Sequence, residues 1–227
     1  ILSGGEGKRL EKITNLPKLF IKFQNKTFLE ILIDQCFTNN INKIYLTSGY
    51  KKEIFMNEFL KVKNKLFKDI EVIEENTPLN TGGAIKNVIK NKNVLNDILL
   101  IYGDTYFNFS IEDFIKKYFL LKPDILLSLS IKFFSNRYGN IYFKNNQFLR
   151  TLKDNKLRFF SNVFNGLAML NKKTIFNYPL DRFSFDTDFL NYNSNKLNIL
   201  VDRINSSNAF MDFGTVQSYK KMKKLKL

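Results

Sequence analysis

Apolar positions along this chain recur with two different periods. Lys43–Ser48, Ile70–Ile73 and Ile98–Tyr102 are short runs rich in Ile, Val and Leu and predict strands, whereas residues 27–39, 51–66 and 82–91 repeat apolar positions at helical spacing and predict helices. Strand and helix in alternation imply an α/β protein whose mixed, mainly parallel sheet is flanked by helices. The second half is richer in strand. Ile125–Lys132, Gly139–Phe143, Phe148–Leu152 and Val163–Leu170 predict a mixed region that covers whatever site the first half builds. Neither a linker nor an internal repeat interrupts the pattern, so residues 1–227 are expected to form one domain.

Sheets of this kind bind ligands beyond the carboxyl ends of their strands, so the residues that follow the apolar runs are the ones to examine. The chain opens inside an apolar run, at Ile1-Leu2, and the expectation is that this first strand begins further upstream. The run leads into Gly4, Gly5 and Gly7, then Lys8 and Arg9. Glycines let a loop turn through positive φ and converge its N–H groups on an anion, and two cations follow where a polyphosphate would lie. A tight turn uses the same residues, so the loop alone does not decide between the two. Asp104 ends the Ile98–Tyr102 run after a glycine, as a reachable carboxylate or as a turn cap. Asp212 sits within Phe210-Met-Asp-Phe-Gly214, where an acid is costly unless paired or bound to a cation. Lys18 follows Pro17, which restrains the backbone there. Thr81 reads as an N-cap opening the helix Gly82-Gly83-Ala84, with Ile85, Val88 and Ile89 on its apolar face.

Composition removes whole classes of chemistry. There is no histidine and one cysteine, Cys36, which excludes Ser/His/Asp and Cys/His catalysis, the common zinc sites and an internal disulfide. Cys36 falls on the stripe Phe28, Leu29, Ile31, Leu32, Gln35 and reads as core. What remains is carboxylates, cations and metal ions held by oxygen, a set that suits phosphoryl and nucleotidyl transfer. The net charge of +15 is spread through every segment and matches a bias toward Lys, Asn, Ile and Phe; no nucleic-acid-binding signature accompanies it, so no nucleic acid is expected as a partner. The lysines from Lys220 to Lys226 read as a solvated helix end. No apolar run approaches bilayer length and no leader pattern stands at the start, so a cytoplasmic protein without membrane contact is expected.

Taken in order, the glycine loop, Pro17-Lys18, Leu79-Asn-Thr-Gly-Gly-Ala84, Tyr102-Gly-Asp104, Arg137-Tyr-Gly139, Asn165-Gly166, Phe183-Ser-Phe185 with Asp188-Phe-Leu190, and Met211-Asp-Phe-Gly-Thr215 resemble the sugar-1-phosphate nucleotidyltransferases over nearly the whole chain. The sequence is most similar to the D-glycero-D-manno-heptose 1-phosphate guanylyltransferases among them. The resemblance implies a Rossmann-like nucleotide-diphospho-sugar transferase fold and a reaction that joins a sugar 1-phosphate to a nucleoside triphosphate. It implies Mg²⁺ on Asp104 and Asp212, Lys18 on the α-phosphate, and Arg9 on the departing pyrophosphate. Leu2, Gly4, Gly5, Gly7, Lys8, Thr81, Gly82 and Gly83 would line the nucleotide, the two glycines of the Thr81 turn admitting the nucleoside closely. Glu75 stands at the base-reading position, where a carboxylate accepts from N1–H and N2–H₂ of guanine, which favours GTP. Arg137, Gly139, Lys156, Asn165 and Gly166 would contact the sugar phosphate.

The sequence also departs from the family pattern. The loop from Gly4 to Lys18 is one residue short, Lys8 replaces a threonine, Asn80 a glycine, and Asn155 the glutamate before Lys156; Leu167-Ala168 also differ. Mannose, glucose or muramate 1-phosphate transfer with GTP or UTP therefore stays open, as does a non-catalytic nucleotide-sugar-binding relative. Asp212-Phe-Gly214 matches one kinase triplet without the others. A dinucleotide dehydrogenase is disfavoured by Leu10 at the place of a third glycine.

Overall fold

The computed structural model describes residues 1–5, 7–36, 41, 43–49, 51–64, 66, 69–92, 94, 96–133, 139–152, 160–204 and 209–225; the side chains of Lys8 and Phe133 are outside that set. In chain order the elements are β1 (Lys22–Phe23), β2 (Lys26–Thr27), α1 (Phe28–Cys36), β3 (Lys43–Ser48), α2 (Lys52–Lys63), β4 (Asp69–Glu74), α3 (Asn80–Asn91), β5 (Ile98–Ile101), β6 (Thr105–Phe107) and α4 (Ile111–Leu121). They continue with β7 (Ile125–Phe133), β8 (Asn140–Lys144), β9 (Gln147–Leu152), β10 (Phe160–Leu170), α5 (Lys172–Phe176), α6 (Leu190–Asn193), β11 (Ile199–Ile204), β12 (Phe210–Asp212) and α7 (Val216–Met222). The chain divides into two compact units, one of Ile1–Pro78, Tyr102–Phe107 and Met211–Leu227, the other of Leu79–Ile101 and Asn108–Phe210.

The first unit carries one parallel ladder. β3 and β4 run parallel from Lys43↔Asp69 to Ser48↔Glu74. Leu2 bridges both Thr47 and Tyr102 in parallel, the strand role expected of the opening residues. The helical stripe on α1 is buried as predicted, with Phe28, Leu29 and Leu32 sealed from solvent. Cys36 lies in it, and burial pushes its thiol up to about 11. The apolar filling is mostly aromatic: Phe20 meets Phe55 of α2 edge-on at 4.9 Å, and Phe213 meets Phe28 at 4.6 Å and Phe23 at 5.3 Å. Each such ring withdraws roughly 2–3 kcal/mol worth of apolar surface from water, and the edge-to-face geometry fixes neighbouring backbone.

The second unit is built on six strands in the order β5-β10-β7-β11-β9-β8. β7 and β11 pair in parallel, whereas β10 runs antiparallel to β5 and β7, and β9 antiparallel to β8 and β11. The α/β class stands, but the sheet is less parallel than strand–helix alternation predicted: each unit holds one six-residue parallel ladder, β3–β4 in the first and β7–β11 in the second, while β5 pairs antiparallel with β10 and antiparallel pairs dominate the second unit. The β8–β9 connection contains Asn145 and Asn146, both at positive φ, which folds the chain straight back on itself.

Several elements escaped prediction. α4 begins at a cap, with the Ser110 side chain accepting from the Asp113 N–H, and β11 buries Ile199 and Val201. Among the described residues no helix is long and apolar enough to cross a membrane.

Candidate active site

The three loop glycines have separate duties. A Cβ on Gly4 would stand 2.8 Å from Glu75 Oε1, so this glycine leaves room for a carboxylate. Gly5 and Gly7 have nothing within 4 Å of a built Cβ, and Gly7 holds φ at +65°. Nothing among the described residues accepts from the N–H of Gly5 or Gly7, which leaves both open to an anion. Leu10, buried, donates its N–H to the Gly7 carbonyl at 2.8 Å and closes a 3₁₀ turn, from which Arg9 projects into solvent.

Lys18 and Asp104 meet as an ion pair at 2.6 Å, with their side chains 24% and 26% exposed. The lysine backbone is pinned on both sides. Pro17 accepts from Phe20, Lys18 accepts from Ile21, and Leu19 and Phe20 are buried. Asp104 is held as firmly: Gly103 donates to the Leu2 carbonyl at 2.8 Å, and Phe213 donates to the Asp104 carbonyl at 3.1 Å. The strand β12 that delivers Asp212 pairs with β6, which starts just after Asp104. Asp212 is buried, and its Oδ1 accepts from Gly214 N–H at 3.2 Å. Two carboxylates from distant parts of the chain thus flank one strand pair, Asp104 just before β6 and Asp212 at the end of β12, with a lysine on one of them and an open glycine loop in the same unit.

In the second unit, Thr81 lies inside α3; the flanking residue is Leu79, whose side chain makes no cap. This corrects the capping expectation. The Thr81 hydroxyl accepts from the Phe185 N–H at 2.8 Å. Asn80, at φ 60°, takes the left-handed geometry that asparagine tolerates. Gly82 and Gly83 are buried against the Asp181–Phe183 stretch: a Cβ would meet the Phe183 ring at 2.2 Å or the Asp181 carbonyl at 2.2 Å. Their N–H groups both point at the Phe183 carbonyl. Close packing within the unit therefore accounts for these two glycines, where close approach of a nucleoside was the expected reason. Asn165 is also buried. Its amide donates to the Ser128 and Ser130 hydroxyls at 2.8 and 3.0 Å, at a bulge where Gly166 has φ +90°. Gly139 leads into β8. Arg137, Lys156 and Asn155 lie outside the described residues.

The family model described as nucleotidyl transferase matches residues 1–226. The chain belongs to the nucleotidyl transferase family. Among its relatives, a D-glycero-alpha-D-manno-heptose 1-phosphate guanylyltransferase of Aneurinibacillus thermoaerophilus is 28% identical, over 99% of this chain and 96% of that one. Its namesake from Campylobacter jejuni is 29% identical over 96% and 95%. The crystal structure of HddC from Yersinia pseudotuberculosis superposes with a TM-score of 0.81 at 28% identity, covering 98% and 96%; it has also been solved with GMP-PN. An inositol-1-phosphate CTP transferase from T. maritima, at 18% identity and TM-score 0.78 over 98% and 93%, shares the fold alone.

Two residues of this nucleotidyl transferase were not singled out from sequence and matter to its site. A Cβ on Gly103 would lie 2.7 Å from the Leu2 carbonyl, and one on Gly49 would lie 3.2 Å from the Gly4 carbonyl. Each directly follows a strand run, a signal of close backbone approach available in the sequence.

Proposed function

We propose that this nucleotidyl transferase moves a guanylyl group from GTP to D-glycero-D-manno-heptose 1-phosphate and releases pyrophosphate. The observation that carries the reading is the convergence of Lys18, Asp104 and Asp212 beside an anion-ready glycine loop. The names of the two guanylyltransferase relatives and the GMP-PN complex of HddC support the choice of sugar and base. In the reaction, a phosphate oxygen of the sugar 1-phosphate bonds to the α-phosphorus while the bond from that phosphorus to the α,β-bridging oxygen breaks. The attacking phosphate is already anionic near neutral pH, so no general base is needed.

The chain's own groups bind and align. The open N–H groups of Gly5 and Gly7 receive phosphate oxygens, and Lys8 and Arg9 draw the pyrophosphate away from the reacting centre. Lys18 neutralises the α-phosphate. Glu75 accepts from guanine. The donor set fits magnesium: two carboxylates flanking the β6–β12 pair are hard oxygen ligands, and phosphate oxygens and water would complete the shell. Asp104 and Asp212 would hold the ion. When bound, Mg²⁺ offsets the repulsion between two anions brought together. We take the whole chain as one catalytic domain acting in the cytoplasm, where nucleoside triphosphates are abundant, and its product as a donor for surface-glycan assembly.

The test is pyrophosphate release with Mg²⁺, each nucleoside triphosphate against heptose, mannose, glucose, muramate and N-acetylhexosamine 1-phosphates. Release confined to GTP with the heptose phosphate supports the reading. A different productive pair replaces the substrates, and silence from folded protein replaces the enzyme with a binding relative.

A further inference from the structure

The Lys18–Asp104 ion pair joins two groups to which the proposed reaction gives different partners, the α-phosphate and the metal. We infer that Lys18 is the resident counter-ion of Asp104 in the free protein and keeps the metal from binding until a nucleotide draws the lysine away. The inference rests on the proposed function, in that it takes Asp104 as a metal ligand.

Geometry supplies the argument. Lys18 Nζ stands 2.6 Å from Asp104 Oδ2, while Oδ1 has the Thr105 hydroxyl at 3.5 Å. A divalent cation arriving at this carboxylate meets an ammonium already within ion-pair distance of it, and the two cations repel. Among the described residues, Lys18 has no other ion-pair partner, so it has no second carboxylate to retreat to. Its backbone cannot withdraw either: the Pro17–Ile21 turn is hydrogen-bonded and rooted in buried Leu19 and Phe20. Only the side chain can swing, and the four-carbon stem of lysine allows that.

A triphosphate offers the ammonium anionic oxygens and brings its own for the metal. Its arrival therefore releases Asp104 and completes the metal's ligand shell in one event. Metal and nucleotide must then raise each other's affinity, by reciprocal linkage. The same ammonium serves in turn as a guard on the empty site and as a phosphate ligand in the loaded one.

The experiment measures Mn²⁺ binding to the full chain without nucleotide, by calorimetry or by the loss of the free-ion paramagnetic signal, for wild type, Lys18→Gln and Lys18→Arg. Lys18→Gln is expected to bind Mn²⁺ about tenfold more tightly than wild type, a modest factor because the pair is partly solvated. Lys18→Arg, which keeps a cation on the carboxylate, should stay near wild type. Circular dichroism melts establish that each variant is folded. Equal or weaker Mn²⁺ binding by Lys18→Gln, with wild type still taking Mn²⁺ together with GTP, overturns the guard role and leaves the proposed reaction standing. Failure of every folded protein to bind Mn²⁺, with or without GTP, overturns the metal assignment itself and the guard role with it.

Discussion

Phe213 donates its N–H to the carbonyl of Asp104 at 3.1 Å, and through this bond a C-terminal segment presents its carboxylate, Asp212, beside one from the middle of the chain. The bond is fixed from behind by the Phe23 and Phe28 rings against Phe213. The carboxylates are thus set by backbone and core, independently of any ligand. Asp104→Asn and Asp212→Asn are each expected to retain the fold and lower kcat at least about 100-fold, and chelation of the metal should do the same to wild type. Steady-state pyrophosphate release and a thermal melt check both halves. Near-normal turnover in either variant would remove that residue from the metal site.

Gly4 gives a different kind of prediction, because the atom its Cβ would strike belongs to a side chain. Gly4→Ala should push the Glu75 carboxylate aside at little cost to the fold, within about 1 kcal/mol. If Glu75 reads guanine through N1–H and N2–H₂, the preference for GTP over ITP should fall about tenfold in Gly4→Ala, and equally in Glu75→Gln. An unchanged ratio in both variants would reject base reading by Glu75. A change in Glu75→Gln alone would leave Gly4 without that role.

At Gly83 the obstacle is backbone. Gly83→Ala would drive a methyl group to 2.2 Å from the Asp181 carbonyl, which cannot rotate away. A loss of roughly 3 kcal/mol is expected, read as a lowered urea midpoint. An unaltered midpoint would show that the Asp181–Phe183 stretch yields freely.

Cys36 predicts an alkaline dependence. Burial raises its thiol from 9.0 to about 11 in the folded chain, so the unfolded chain sheds a proton that the folded chain keeps. Stability from this group is complete below about pH 9 and is lost as pH rises through 11, up to about 3 kcal/mol. Urea midpoints at pH 8.5 and 10.5 for wild type and Cys36→Ala should diverge accordingly. Parallel curves would place the thiol in a more solvated setting.

Much of the fold was legible because burial leaves a period. β3, β4 and β5 begin and end within a residue of the predicted runs, and α1 buries the stripe read from its spacing. α2 stops at Lys63, short of its predicted end, since apolar spacing marks the buried face better than the last turn, while the predicted end of the first helix, at residue 39, lies outside the described residues. The π-helical turn Phe185–Phe189 left no such trace, as its shape comes from packing.

By itself the sequence determined which chemistry was possible: no imidazole, one buried thiol, carboxylates at strand ends and glycines where backbones must turn or touch. Tertiary structure decided the partners. That Gly4 faces Glu75, that Lys18 lies on Asp104, and that Gly82 and Gly83 serve Phe183 and Asp181 all depend on segments far apart in the chain. The physical reason is that local spacing records how one side of a strand or helix is buried. The identity of the group that buries it is settled only when the chain packs.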